Sequence, residues 1–184
     1  MDHERYSHWV KSSFALARFD QFMGPLIQQL GRIDCQLIAE DHCFSQSSQD
    51  RRATIGESLK LTDRYTLSHL WVLGAYELVR TLDQRAQEQP TVVSSELRER
   101  IRDTKHLFAR LRMPLAKMEP SRAHRATDFR IAYPMLHDEL GISWQVAPDI
   151  FISRRELSDA LLSLVKEMHT ADNELSHLES DDAA

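Results

Sequence analysis

Two stretches of this chain carry apolar or small residues at alternating spacings of four and three. One is Leu97, Ile101, Thr104, Phe108, Leu111, Leu115 and Met118; the other is Leu157, Leu161, Leu164, Met168, Ala171, Leu175 and Leu178. A half-buried strand would repeat every second residue, so this spacing marks one stripe of a helix. Each stripe must be covered, and two matching seams cover one another at a shallow crossing angle of about 20°. The composition agrees: 23 Leu against 7 Val and 9 Ile favours helix, because unbranched side chains lose less rotamer freedom there. The expected fold class is all-α, a bundle of four or five helices. A length of 184 residues suits one domain, read here as 1–178, with the acidic tail 179–184 frayed.

Local signals place the helix ends. Phe19, Phe22, Leu26, Leu30, Ile33 and Leu37 mark a helical face between about Tyr6 and Ala39, and Gly24-Pro25 should break or kink it. Residues 43–57 lack periodicity and read as a surface loop. A second helix is expected over Leu59–Gln87. Ser94 or Ser95 can cap the third, which Pro114 should bend. Ser153 and Glu156 match a capping box at the start of the last. Between these last two helices, residues 119–152 form an irregular insert, in which "ISWQV" and "DIFIS" can pair as a short hairpin around Ala147-Pro148.

The helix over 59–87 carries the most suggestive polar residues. On a helical wheel Tyr65, His69, Tyr76 and Arg80 fall within about 40° of His69, with Glu77 at the edge. Such a stripe can line a pocket in which His69 carries a proton or a hydrogen bond and Arg80 holds an anion. It can equally be a helix flank in which Glu77 pairs with Arg80 and the other polar groups bond to nearby backbone.

Arg64 and His69 match the Arg-x4-6-His spacing and in that respect resemble the HEPN family of all-α, metal-independent ribonucleases. The resemblance covers this motif and the helical class. It implies an RNA-cleaving site formed across a dimer, with Arg64 and His69 at the scissile phosphate; Tyr65 is a further candidate. Arg100/His106 and Arg130/His137 fit the same spacing. On a regular helix Arg64 and His69 point about 140° apart, with Arg64 toward the apolar side.

Charge is unevenly spread. Residues 98–130 hold ten Lys or Arg against four acids, in a chain whose net charge is -5. The negative total argues against binding nucleic acid through the whole surface, whereas a local face of Arg98, Arg102, Lys105, Arg110, Lys117, Arg122 and Arg125 can hold RNA or another anionic ligand. The bland counterpart is a solvated face balanced by acidic neighbours.

Other chemistry finds little footing. Glu40, Asp41, His42 and Cys43 are consecutive and cannot all converge on one ion, so no metal site is expected. No phosphate loop, nucleophile elbow or paired-cysteine motif is present, and no cofactor is expected. No apolar run reaches the roughly 20 residues needed to span a bilayer, and the N-terminus lacks an apolar signal core, so a cytoplasmic location is the default expectation. The leading functional expectation is a non-enzymatic protein that binds an anionic partner, RNA among them, through its arginine-rich face. The metal-independent ribonuclease is the alternative, and assembly through helix faces, as a homodimer for instance, is the third.

Overall fold

Asp2 opens the first helix by accepting the Arg5 amide at 2.9 Å, which satisfies one of the free donors at a helix start. The structure is a computed structural model describing residues 2–181, with side chains through 172. Helix α1 (His3–Ser13) passes through a 3-10 turn (Phe14–Arg18) into α2 (Met23–Ser45). The break expected at Gly24-Pro25 therefore falls a few residues earlier. Pro25 sits in the first turn of α2, where its missing amide costs no hydrogen bond.

The buried side of α2 also differs from expectation. Phe22 and Leu26 are exposed, while Ile27, Gly31 and Asp34 face inward with Leu30 and Leu37. The reason lies across the core: Trp9 of α1 lies so close to Gly31 that a Cβ there would overlap the indole, and Asp34 meets buried cations.

The segment 43–57 is more ordered than its composition suggests. Helix α2 runs to Ser45, a single turn α3 (Gln49–Arg52) follows, and Thr54 caps α4 (Ile55–Glu88) by accepting the Glu57 amide. Ser48 and Thr54 supply the starts that a search for apolar periodicity overlooks. Helix α4 buries Trp71, Ala75, Leu78, Val79 and Leu82, and Trp71 donates its indole N–H to the Leu30 carbonyl at 2.9 Å. Leu67 and Gly74, which a helical wheel places on that same side, are exposed.

Ser94 caps α5 (Ser95–Lys117), which keeps its helical path through Pro114 and stops at Met118 in the left-handed conformation. Its seam buries Leu97, Ile101, Thr104, Phe108 and Leu111, mainly against α4 and also against α6 (Arg154–Asp181). The capping box forms as expected: Ser153 Oγ accepts the Glu156 amide at 2.9 Å, and Glu156 accepts the Ser153 amide at 2.8 Å. Leu157, Leu161, Leu164 and Met168 are buried. Leu175, Leu178 and the tail 179–184 lie outside the residues whose side chains are described.

The protein is mostly helical, with six α-helices among the described residues, and it is not purely all-α. The insert before α6 is an antiparallel sheet of β1 (Tyr133–His137), β2 (Gly141–Ala147) and β3 (Ile150–Ser153), in the order β1-β2-β3. The anticipated hairpin is β2–β3, with an irregularity between Gln145 and Ala147 beside Pro148. Strand β1 gives no strand signal in the sequence, because its residues are mostly exposed or half-buried and Pro134 breaks its pattern. Strand β2 is almost wholly buried against the helices, as Ile142, Trp144 and Val146 show. No described helix is long and apolar enough to cross a membrane.

Candidate functional site

The polar stripe on α4 divides into two halves. In its C-terminal half Glu77 accepts from Arg80 Nε at 2.7 Å and from Arg112 Nη2 of α5 at 3.3 Å, while the Arg112 guanidinium lies 5.0 Å from the centre of the Tyr76 ring. Tyr76, Glu77 and Arg80 thus belong to a surface ion-pair and cation–π cluster. In the N-terminal half Tyr65 and His69 line an open cavity of about 540 Å3 with Thr66, Leu115, Ala132, Pro134 and Trp144.

That cavity is assembled from three places in the chain. Helix α4 supplies one wall, the end of α5 supplies Leu115, and the sheet supplies a floor on which Pro134 and Trp144 are cross-strand partners. Partners directly opposite in an antiparallel pair project to the same face, so the two rings lie together. Among the described residues neither the His69 imidazole nor the Tyr65 hydroxyl has a hydrogen-bond partner, and both residues are half-buried. Burial, reinforced by the Asp41 charge, raises the Tyr65 pKa, so its hydroxyl remains a donor at neutral pH.

Arg64 goes elsewhere. It is 3% exposed, donates from Nη1 to the Glu40 carbonyl at 3.0 Å and to Asp41 Oδ1 at 3.3 Å, and stacks over Phe44 at 4.4 Å. It borders a separate cavity between α2 and α4, of about 460 Å3, with Gln36, Cys43 and Lys60 among its walls. The Arg64/His69 pair, which the HEPN-like spacing would bring to one phosphate, faces two different cavities in this chain.

No protein-family model, curated protein or solved structure matches this chain. Geometry and chemistry alone therefore carry the assignment of its site.

The cations of the arginine-rich window separate as clearly as the stripe does. Arg100 forks onto Glu167 of α6 at 3.0 and 3.2 Å, Arg102 pairs with Glu99, Lys105 with Asp83, and Arg110 forks onto Asp128 at 2.8 and 2.9 Å. Arg98 is half-buried in a small cleft with Asp83 and Glu99. Lys117, Arg122, Arg125 and Arg130 are exposed and have no acid partner among the described residues. All four lie at the end of α5 and in the segment leading to β1, two residues or more from Leu115 and Ala132 of the cavity wall.

That segment is held in place. The Arg110 fork fixes Asp128, whose carboxylate is 1% exposed, and the Phe129 amide donates to the Val146 carbonyl of β2 at 2.7 Å. Burial pushes the Asp128 pKa up, but hydrogen bonds from Arg110 and Thr127 outweigh it and hold the group below the ordinary carboxylate value. Phe129 meets Tyr133 edge-on at 5.5 Å, leaving Tyr133 52% exposed beside Ile131.

Residue type in the sequence singles out Tyr65, His69, Lys117, Arg122 and Arg125 but does not relate the two sets. Trp144, Pro134 and Leu115 carry no signal of their own, since the cavity exists only once β1 pairs with β2. A second polar cluster has no sequence signature at all: Arg5, Asp34, Arg154, Asp41 and Arg64 alternate in charge through the core and tie α1, α2, α4 and α6 together.

Proposed function

We propose that this protein is a non-enzymatic binding module for a polyanion, with RNA as the partner that fits best. The observation carrying this reading is the position of the uncompensated charge. Within the window 98–130, Arg100, Arg102, Lys105, Arg110 and Arg112 are neutralised by acids from α4, α5, α6 and the insert. Arg122, Arg125 and Arg130 keep their charge exposed on the segment that is braced to the sheet through Phe129, and Lys117 keeps its charge exposed at the end of α5. Solvated, unpaired cations on a held backbone displace counterions from a phosphate chain at little ordering cost. The arginine-rich face of the sequence thereby narrows from the length of α5 to its C-terminal end.

The test is a binding titration with mixed-sequence RNA at several salt concentrations. Arg122→Gln/Arg125→Gln/Arg130→Gln should weaken binding and flatten the dependence of log K on log salt by about one unit for each phosphate left without its cation. Arg100→Gln/Arg102→Gln, which removes charges already paired, should leave affinity close to that of the parent. Absence of binding at low salt, or equal weakening in both variants, would overturn the assignment.

A further inference from the structure

We propose that the cavity bounded by Tyr65, His69, Leu115, Ala132, Pro134 and Trp144 takes one unstacked base of a single-stranded RNA whose phosphates lie on the neighbouring cations. This inference rests on the polyanion reading and names the form of the partner. Phosphate contacts alone would serve double- and single-stranded chains alike, because they touch only the backbone. The cavity adds what a duplex cannot use.

Its lining is apolar: Pro134 is exposed and Leu115 half-buried, with the buried Ala132 and Trp144 closing the bottom, and the Pro134 ring can pack on the face of a base. Its rim bears two side chains with unused hydrogen-bonding capacity. The His69 ring nitrogens include one donor and one acceptor in the neutral form, and the Tyr65 hydroxyl both donates and accepts. A base edge presents that mixture of groups. The volume of about 540 Å3 is within the range of small-molecule sites and accommodates a single nucleotide base.

The placement relative to charge is equally specific. Arg130 precedes the wall residue Ala132 by two positions, in the segment whose Phe129 amide is tied to the Val146 carbonyl of β2, two residues along the strand from Trp144. A phosphate flanking a base in the cavity on that side lies toward a cation that no described acid pairs.

The experiment compares three short oligomers by fluorescence anisotropy at low salt: a single-stranded RNA 12-mer, the same sugar-phosphate chain made abasic, and the 12-mer annealed to its complement. The base-bearing strand should bind about tenfold more tightly than the abasic one, with the duplex resembling the abasic chain. Two variants place the effect in the cavity. Thr66→Phe fills it from an exposed wall position and keeps every charge; His69→Ala removes the reading group. Each should bring the base-bearing strand down to the abasic level without weakening the abasic strand, and thermal melting monitors the fold.

Equal binding of base-bearing and abasic chains would overturn the base site and leave the polyanion reading standing. Failure of all three oligomers to bind would remove the reading itself. A base preference that survives in both variants would also overturn the proposal, since the base would then be held elsewhere.

Discussion

Arg154 and Asp34 form an ion pair in which the side chains are 1% and 0% exposed, and Asp34 also accepts from Arg5 Nε at 2.7 Å and Trp9 Nε1 at 3.1 Å. Two charges removed from water are tolerable only while each satisfies the other. Asp34→Ala should therefore destabilise the protein by about 3–5 kcal/mol, because the buried Arg154 keeps only the longer 3.9 Å contact to Asp41 and Arg5 and Trp9 lose their shared acceptor. Asp34→Leu combined with Arg154→Met should recover most of that stability. Guanidinium denaturation reads both, and a single-variant deficit below about 1 kcal/mol would contradict the buried pairing.

The two aspartates of this ion chain should respond to pH with opposite signs. Burial pushes Asp34 up, but the charges of Arg154 and Arg5 outweigh it and hold its pKa below the ordinary value of 3.8. Its contribution is complete above that value and disappears as pH falls through the folded pKa. Burial raises Asp41 above 3.8, and Arg154 and Arg64 do not offset it, so the folded state holds this proton more tightly and stability falls as pH rises through the raised pKa. The deficit of Asp34→Asn should shrink on acidification below about pH 4, while Asp41→Asn should gain on the parent as pH rises above about 4. Denaturation curves at stepped pH measure both slopes.

The two thiols should differ sharply in reactivity. Cys35 is fully buried, and burial together with the Asp34 charge pushes its pKa up to about 11. Cys43 is exposed on α2. Since the thiolate is the reacting form, a chromogenic disulfide reagent should titrate one thiol rapidly in the native protein and the second only on unfolding. Two rapid equivalents would show that the packing of α1 on α2 over Cys35 opens readily.

Much of this architecture is legible along the chain because it depends on local pattern. The seams of α5 and α6, the Ser153/Glu156 box and the β2–β3 hairpin each occupy a few neighbouring residues whose spacing reports their surroundings. What is not legible depends on pairing across the fold. Phe22 and Leu26 fit the apolar period of α2 and are nonetheless exposed, because Asp34 takes the inward position opposite Arg154, distant in sequence. The candidate site shows the same division. Tyr65, His69, Arg122 and Arg125 stand out by residue type, but which cations are free is set by Glu167, Asp128 and Asp83 on other elements. The cavity floor requires the Pro134–Trp144 register.

Two glycines in helices should give opposite results on replacement by alanine. A Cβ at Gly31 would overlap the Trp9 side chain, whose ring is fully buried and cannot withdraw. Gly31→Ala should cost about 1–3 kcal/mol through overpacking. Gly56, in the first turn of α4, has nothing within 4 Å of the added atom. Gly56→Ala should stabilise by roughly 0.5–1 kcal/mol through lower backbone entropy in the unfolded chain. Paired thermal melts test both directions.

Asp128→Asn separates charge from placement at the cation segment. Removing this acid adds one unit of positive charge beside Arg122, Arg125 and Arg130 and frees Arg110, so electrostatics alone would strengthen polyanion binding. The Asp128 carboxylate, however, receives both arms of the Arg110 fork and the Thr127 hydroxyl, and it precedes the residue whose amide bonds to β2. Losing charge-assisted bonds at a buried acceptor should cost about 1.5–3 kcal/mol and let the segment move. If the cations act because they are held, RNA affinity should fall despite the extra charge, and the salt dependence should stay unchanged or steepen. A rise in affinity would instead show that net charge suffices and that the bracing by Arg110 serves stability alone.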